Sequence, residues 1–250
     1  MQRTYISGDV IEKTRFWTRG KGEPRRPRKA ATTERAQERN AKSAVRKMAR
    51  IINCNFAEGS FVKLGMDDKH YKELEEICGG DRETMIAEYK HQCQLFLLRA
   101  KRYYKKQGQE LKAIIAVADK DHKGREARIH AHMIINTGSY EEISKLWNKG
   151  GKGLGWEDLY SRPDRTALAE YILKQAARIK KGAAYIMTRN MIQPTVTEEY
   201  IDKNTEIRLP AGATELERSA YAPDTAQYVR YIRRKKEDKH SKKAPDKPAP

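Results

Sequence analysis

Residues 113–119 read AIIAVAD and residues 128–136 read RIHAHMIIN, with the polar stretch KDHKGREA between them. The two runs are apolar and the stretch between them carries charge and a glycine, which predicts two strands joined as a hairpin. Side chains alternate in direction along a strand. In the second run Ile129, Ala131, Met133 and Ile135 therefore share one face, and His130, His132 and Ile134 share the other. Two imidazoles two residues apart stand about 7 Å apart along the chain and point the same way, so both can reach one metal ion. The first strand ends in a carboxylate, Asp119, with His122 just beyond it. A hairpin can set such a group across from the pair. Two nitrogens and an oxygen with open positions suit Mn²⁺ or Mg²⁺ aided by water, and two imidazoles also suit Zn²⁺. The structural alternative is a pair of histidines on an exposed sheet face.

Upstream, Asp81 caps a helix in which Ile86, Tyr89, Cys93, Phe96 and Ala100 recur at three to four residues, ending near Gly108. Earlier still, a helix from Thr33 bears Ala41, Val45, Met48 and Ile52 as one apolar stripe, with Arg35, Arg39, Lys42, Arg46 and Arg50 on its other faces. FVKL, residues 61–64 after a Glu-Gly turn, is a short strand candidate. Downstream, Ser139 and Glu142 form a capping box for a helix with Ile143, Leu146 and Trp147. Asp164 caps a further helix running to about Gly182, and TEIRLP and AQYVRYI beyond it are strand-like. No Gly-rich phosphate fingerprint follows a strand. The expected fold class is α+β, with a mainly antiparallel central sheet flanked by helices.

Hydrophobic residues make up 38% of the 250 and charged residues 34%, with a net charge of +18. Residues 1–50 hold 15 basic and 5 acidic side chains, residues 228–250 hold 9 and 3, and the stretch between them is close to neutral. Blocks of like charge outside a core point to a polyanionic partner. Neither block has a sustained amphipathic face with bulky apolar residues, which disfavours a lipid surface. The expected organisation is a basic flexible arm over residues 1–32, a domain over 33–184, a strand-rich extension over 185–235 packed on it, and a disordered basic tail over 236–250. No apolar run approaches the roughly 18 residues of a membrane span. There is no signal-peptide core, so a cytoplasmic protein is expected. Cys54, Cys78 and Cys93 are too few and too far apart for a disulfide framework or a Cys-x-x-Cys zinc site.

In the helix after Asp164, Tyr171 and Lys174 lie at i and i+3, which brings a hydroxyl nucleophile beside a cation. Attack on a phosphodiester needs both, because a phenol is a poor nucleophile at neutral pH unless a neighbouring cation favours the phenolate. Most tyrosines on amphipathic helices only pack, and the chain has 13 of them.

A His-x-His strand followed by a helix with Tyr-x-x-Lys resembles the HUH endonucleases, the rolling-circle replication initiators and relaxases. More closely, the chain resembles replication-associated proteins of the filamentous-phage gene II type. That likeness runs through INCNFAEGSFVKL, AVAD, HAHMIIN, EISKLWNKG, LAEYILKQ, TRNMIQP and RLPAGATELE leading to YVRYIRR. The resemblance implies that residues 33–184 are an HUH-type endonuclease domain. His130 and His132 would be metal ligands, Tyr171 the nucleophile and Lys174 its electrostatic helper. The family's third ligand, commonly a Glu ending the preceding strand, falls on Asp119, a shorter side chain. The family's first motif is a Thr-containing strand, where this chain has FVKLGM with Lys63 and Gly65.

These readings together describe a rolling-circle initiator: a nuclease and strand transferase that uses a divalent metal ion and acts on single-stranded DNA at a replication origin. It would work in a bacterial host cell beside host replication proteins, with no membrane partner. The rival readings are a non-enzymatic basic nucleic-acid-binding protein with structural histidines, and a metal-dependent hydrolase that uses water.

Overall fold

A computed structural model describes residues 1–17, 33–150, 154–160, 162–177, 184–202, 205–221 and 226–233. Along these residues the elements run β1 (Gln2–Ser7), β2 (Val10–Arg15), α1 (Glu34–Asn55), β3 (Ser60–Leu64), α2 (Asp68–Ile77), α3 (Arg82–Lys106), β4 (Ala113–Lys120), β5 (Glu126–Ile135), α4 (Tyr140–Trp147), β6 (Gly155–Asp158), α5 (Thr166–Gln175), β7 (Ile186–Met187), β8 (Thr195–Glu199), β9 (Ala213–Arg218) and β10 (Gln227–Arg233). The fold is α+β, with two five-stranded antiparallel sheets. No helix among the described residues is long and apolar enough to cross a membrane.

β4 and β5 pair antiparallel at the centre of the first sheet, whose order is β6-β3-β5-β4-β7. The alternation along β5 divides as the sequence predicts. Ile129, Ala131, Met133 and Ile135 join Tyr89, Cys93 and Phe96 of α3 and Trp147 of α4 in one core cluster. Ile134 points the other way, into a cluster with Met48 and Ile52 of α1 and Ile172 of α5. The capping box of α4 is present, and Asp81 accepts from the Thr84 amide at the start of α3. The turn before β3 needs Gly59, whose φ is +141° and whose missing Cβ would collide with the Ile135 carbonyl.

Several expectations are corrected. Residues 1–32 are not a flexible arm throughout, because β1 and β2 form a hairpin around Gly8, whose φ of +60° suits a two-residue turn. That hairpin lies inside the second sheet, ordered β8-β1-β2-β10-β9, with Val10, Glu12 and Arg15 buried. Residues 18–32 of the expected arm, and the tail over 236–250, lie outside the described residues. The helix after Asp164 does not reach Gly182. It ends at Gln175, and extended Ala176 pairs with Ala118 on the edge of β4, where the Ala177 amide donates to the Val117 carbonyl at 2.8 Å. Pairing with an open strand edge satisfies backbone groups that helix propensity alone cannot. The extension over 185–235 is likewise divided: β7 pairs with β4, whereas β8, β9 and β10 belong to the second sheet. TEIRLP is irregular, with Ile207 packed against Val229 and Tyr231.

Glu12 ties the second sheet to α1. Its carboxylate accepts from Arg50 Nε at 2.9 Å and Nη2 at 2.6 Å, and from the Tyr228 hydroxyl at 2.8 Å. Glu12 is 2% exposed. Removing one partner of such a buried pair strands the other charge, so Glu12→Ala is expected to lower the unfolding free energy by about 3–5 kcal/mol in urea titrations. Glu198→Ala, which breaks the exposed pair with Arg3, is expected to cost under ~1 kcal/mol.

Candidate active site

The face of β5 that carries His130 and His132 is covered by α5, and β3 lies alongside. The end of β3 is held in place by two buried donors. The Tyr89 hydroxyl reaches the Leu64 carbonyl at 2.7 Å, and Trp147 Nε1 reaches the Gly65 carbonyl at 2.6 Å. In that register Lys63 stands opposite His132 and Phe61 opposite Ile134. Phe61 stacks on the His132 ring, with centroids 5.3 Å apart and planes 19° from parallel.

On α5, Ala169, Ile172 and Gln175 are buried. The opposite side of the helix faces solvent, and Tyr171 at its boundary is 42% exposed. Its ring centroid lies 5.4 Å from that of His132 and 6.0 Å from that of Phe61. The structure thus brings Tyr171 to the histidine pair. Gln175, one turn further along, donates from Nε2 to the Tyr171 carbonyl at 3.4 Å, which turns its Oε1 toward His132 Nε2 at 3.3 Å.

Counting protons shows what this cluster is suited to hold. His130 Nδ1 lies 2.9 Å from the Arg128 carbonyl. A carbonyl only accepts, so Nδ1 carries the hydrogen and Nε2 of the neutral ring has a bare lone pair. That atom lies 3.3 Å from His132 Nε2. Burial lowers the His130 pKa, and burial followed by the neighbouring His130 lowers that of His132 to about 4, so both rings are neutral at pH 7. His132 Nε2 therefore lies 3.3 Å from each of two lone-pair atoms, His130 Nε2 and Gln175 Oε1, with at most one hydrogen among the three. His132 Nδ1 is buried without a partner. With the His132 hydrogen on Nδ1, all three atoms offer lone pairs to a divalent cation. With metal–nitrogen bonds of about 2.0–2.1 Å, neighbouring ligand atoms stand roughly 3.0–3.4 Å apart, the spacing of His132 Nε2 from each of the other two atoms. The residues present fit such an ion.

Asp119 lies where the β4–β5 register shifts, a bulge of the kind that re-aims side chains near active sites. Its Oδ1 is buried without a hydrogen-bond partner, and its charge partly offsets the lowering of the His130 pKa. It forms no hydrogen bond to either imidazole, and among the described residues no group of three or more His, Cys, Asp or Glu side chains is placed to hold a metal ion. His122 is exposed on the hairpin turn. Lys174 lines a cleft with Glu170 and Leu173 on another flank of α5. The cation whose charge acts on both imidazoles is Lys63. Sequence reasoning therefore passed over three residues at the site: Gln175, Phe61 and Lys63. The first has a readable signal, since i+4 from Tyr171 on a helix lies on the same face.

Compared with family models, curated proteins and solved structures, the chain matches none.

The depressed His132 pKa sets a pH dependence. Between about 4 and the ordinary 6.5 the unfolded chain binds a proton that the folded protein does not. This contribution to stability is complete above pH 6.5 and is lost as the pH falls toward 4. In EDTA, denaturant titrations are expected to lose up to about 1.4 kcal/mol per pH unit for each such imidazole across that window. His132→Asn is expected to flatten the slope, and an unchanged slope in that variant would contradict a buried neutral ring.

Proposed function

We propose that the chain is an HUH-type endonuclease and strand transferase that nicks and rejoins single-stranded DNA at a replication origin to initiate rolling-circle replication. The observation that carries this reading is the exposed Tyr171 ring beside His132, whose Nε2 lies 3.3 Å from both His130 Nε2 and Gln175 Oε1. A metal site for hydrolysis needs no such phenol at its mouth, and a purely structural histidine pair needs no convergence of lone pairs.

The ligands would be His130 Nε2, His132 Nε2 and Gln175 Oε1, with the Asp119 carboxylate as a nearby negative charge. Mn²⁺ or Mg²⁺ held there supplies Lewis-acid polarisation of a non-bridging oxygen of the scissile phosphate. Gln175 orients its amide through the Tyr171 carbonyl, coupling the ligand to the turn that carries the nucleophile. Tyr171 attacks phosphorus in line with the 3′-oxygen. The Tyr171 O–P bond forms as the P–O3′ bond breaks, and the phenolic proton passes to solvent. Phe61 fixes the plane of His132, while Lys63 and Lys174 supply positive charge near the phosphates. The products are a 5′-phosphotyrosine and a free 3′-hydroxyl. The phosphodiester energy stays in the covalent bond, so the same atoms can rejoin ends, and the 3′-hydroxyl can prime host replication proteins.

The test is a covalent protein–oligonucleotide adduct on a denaturing gel, formed with pools of single-stranded oligonucleotides. Wild type is expected to form it with Mn²⁺ and not with EDTA, and Tyr171→Phe is expected to fold and bind DNA but form none. Cleavage without an adduct would instead favour hydrolysis by water. Gln175→Ala is expected to weaken Mn²⁺ binding by at least about tenfold in calorimetry. A larger loss in Asp119→Ala than in Gln175→Ala would make the carboxylate the third ligand.

A further inference from the structure

Two clefts flank the middle of α1, and they meet. The larger, about 940 Å³, runs between α1 and α5 to the second sheet and is lined by five cations against two carboxylates, Glu170 and Glu217. It begins at Lys174, within one turn of Tyr171, and has Lys120 in its wall. The smaller, about 440 Å³, lies between α1 and the sheet face formed by β1, β2 and β10, and no carboxylate lines it. Lys42 and Arg46 line both. Basic side chains therefore line the two clefts from the turn that carries Tyr171, across α1, to the second sheet, with Glu217 set between Arg46 and Arg230.

The smaller cleft layers cations on aromatic rings. Arg46 lies over Tyr228 and Arg50 over Tyr5, each 3.5 Å from the ring centroid, and Arg3 lies 5.2 Å from that of Phe16. Arg50, Arg46 and Arg3 are engaged by Glu12, Glu217 and Glu198 and form the frame. Arg39 and Lys42 are exposed and form no ion pair with another described residue. Ala41 and Ala44 beside these cations are likewise left exposed by the described residues. Flat rings with guanidinium groups across them, beside unpaired cations, are the chemistry that holds unpaired bases and their phosphates, whereas a duplex keeps its base faces stacked away from such a surface.

We propose that these clefts form a continuous track for single-stranded DNA flanking the scissile phosphate. Phosphates lie on Lys174, Lys120, Lys42 and Arg39, and a base stacks at Phe16. The track rests on the reading of Tyr171 as the nicking residue, since that residue gives it an origin. The second sheet then has a function: it carries the far end of the binding surface to a fixed distance from the nucleophile.

The probe is a fluorescent oligothymidylate of about 20 nucleotides, longer than the ~4–16 that single-strand sites cover. Its anisotropy is followed against salt with the full-length protein, beside a duplex of equal length and unlabelled polyglutamate as competitor. The double variant Arg39→Ala with Lys42→Ala is expected to lose about tenfold in affinity near physiological salt, and the slope of log K against log salt should become shallower by about 1.4 for two lost phosphate contacts. Phe16→Leu is expected to lose about fivefold or more with an unchanged slope, the mark of a lost stack. Tyr171→Phe should bind as wild type does. Wild-type affinity and slope in the double variant would overturn the track, as would preference for the duplex or displacement by polyglutamate as effective as by unlabelled oligothymidylate. The adduct assay reports on Tyr171 separately. Loss of binding in the variants without any wild-type adduct would leave the track standing and reject the nicking centre, and the reverse pattern would reject the track alone.

Discussion

β5 is hydrogen-bonded on both edges and covered on both faces, so its register fixes which chemistry faces which layer. A slip of one residue would turn His130 and His132 into the core beside Phe96 and Trp147, and would carry Ile129, Ala131 and Met133 to α5. The cost would be two desolvated imidazoles without partners and the loss of the tightly packed layer under α3. The apolar alternation of one strand thus both builds the main core and aims the two histidines. The position of Phe61 and Lys63 follows from the same register through β3.

The opposite wall depends on where α5 stops. Gln175 closes the helix with its amide held by the Tyr171 carbonyl, and the chain then runs along the edge of β4. The start of α5 is held from the second sheet: Arg230 of β10 hydrogen-bonds Thr166 and lies 3.5 Å from Asp164. A buried Glu12–Arg50 pair fastens the same sheet to α1. The helix bearing the candidate nucleophile is therefore fixed at one end by the central sheet and at the other by a sheet built from the two ends of the described chain. Deleting residues 1–30 would remove β1 and β2 as well as charge, so the basic N-terminal block is not separable from the fold.

Much of the centre of the molecule was legible because periodicity and burial agree there. The hairpin of β4 and β5, the stripes of α1 and α3 and the capping box of α4 all follow from spacing and end signals. The second sheet was harder to read. TYIS-GD-VIEKT carries a two-residue hairpin signal, but the arginine-rich stretch after it dominated the composition of residues 1–32. β8 is exposed throughout and β9 has no buried residue, and as edge strands they are rich in Thr and Glu and have no apolar face to show. The end of α5 carried no stop signal in QAARIKKG, because a tertiary pairing ends it. At the site, His130, His132 and Tyr171 were readable from motif order. Spacing marks Gln175 as a neighbour of Tyr171, but not as a ligand, because a glutamine becomes a candidate ligand only when its oxygen is seen turned toward an imidazole nitrogen.

The central claim is that Tyr171 forms the covalent bond to DNA beside the His130–His132–Gln175 cluster. Its most direct measurement is mass spectrometry of the purified adduct after nuclease and tryptic digestion. The account predicts a residual 5′-phosphonucleotide on the peptide spanning residues 166–174, TALAEYILK, and on no other. A nucleotide on the peptides carrying Tyr160 or Tyr185, or DNA cut with every tyrosine unmodified, would contradict it.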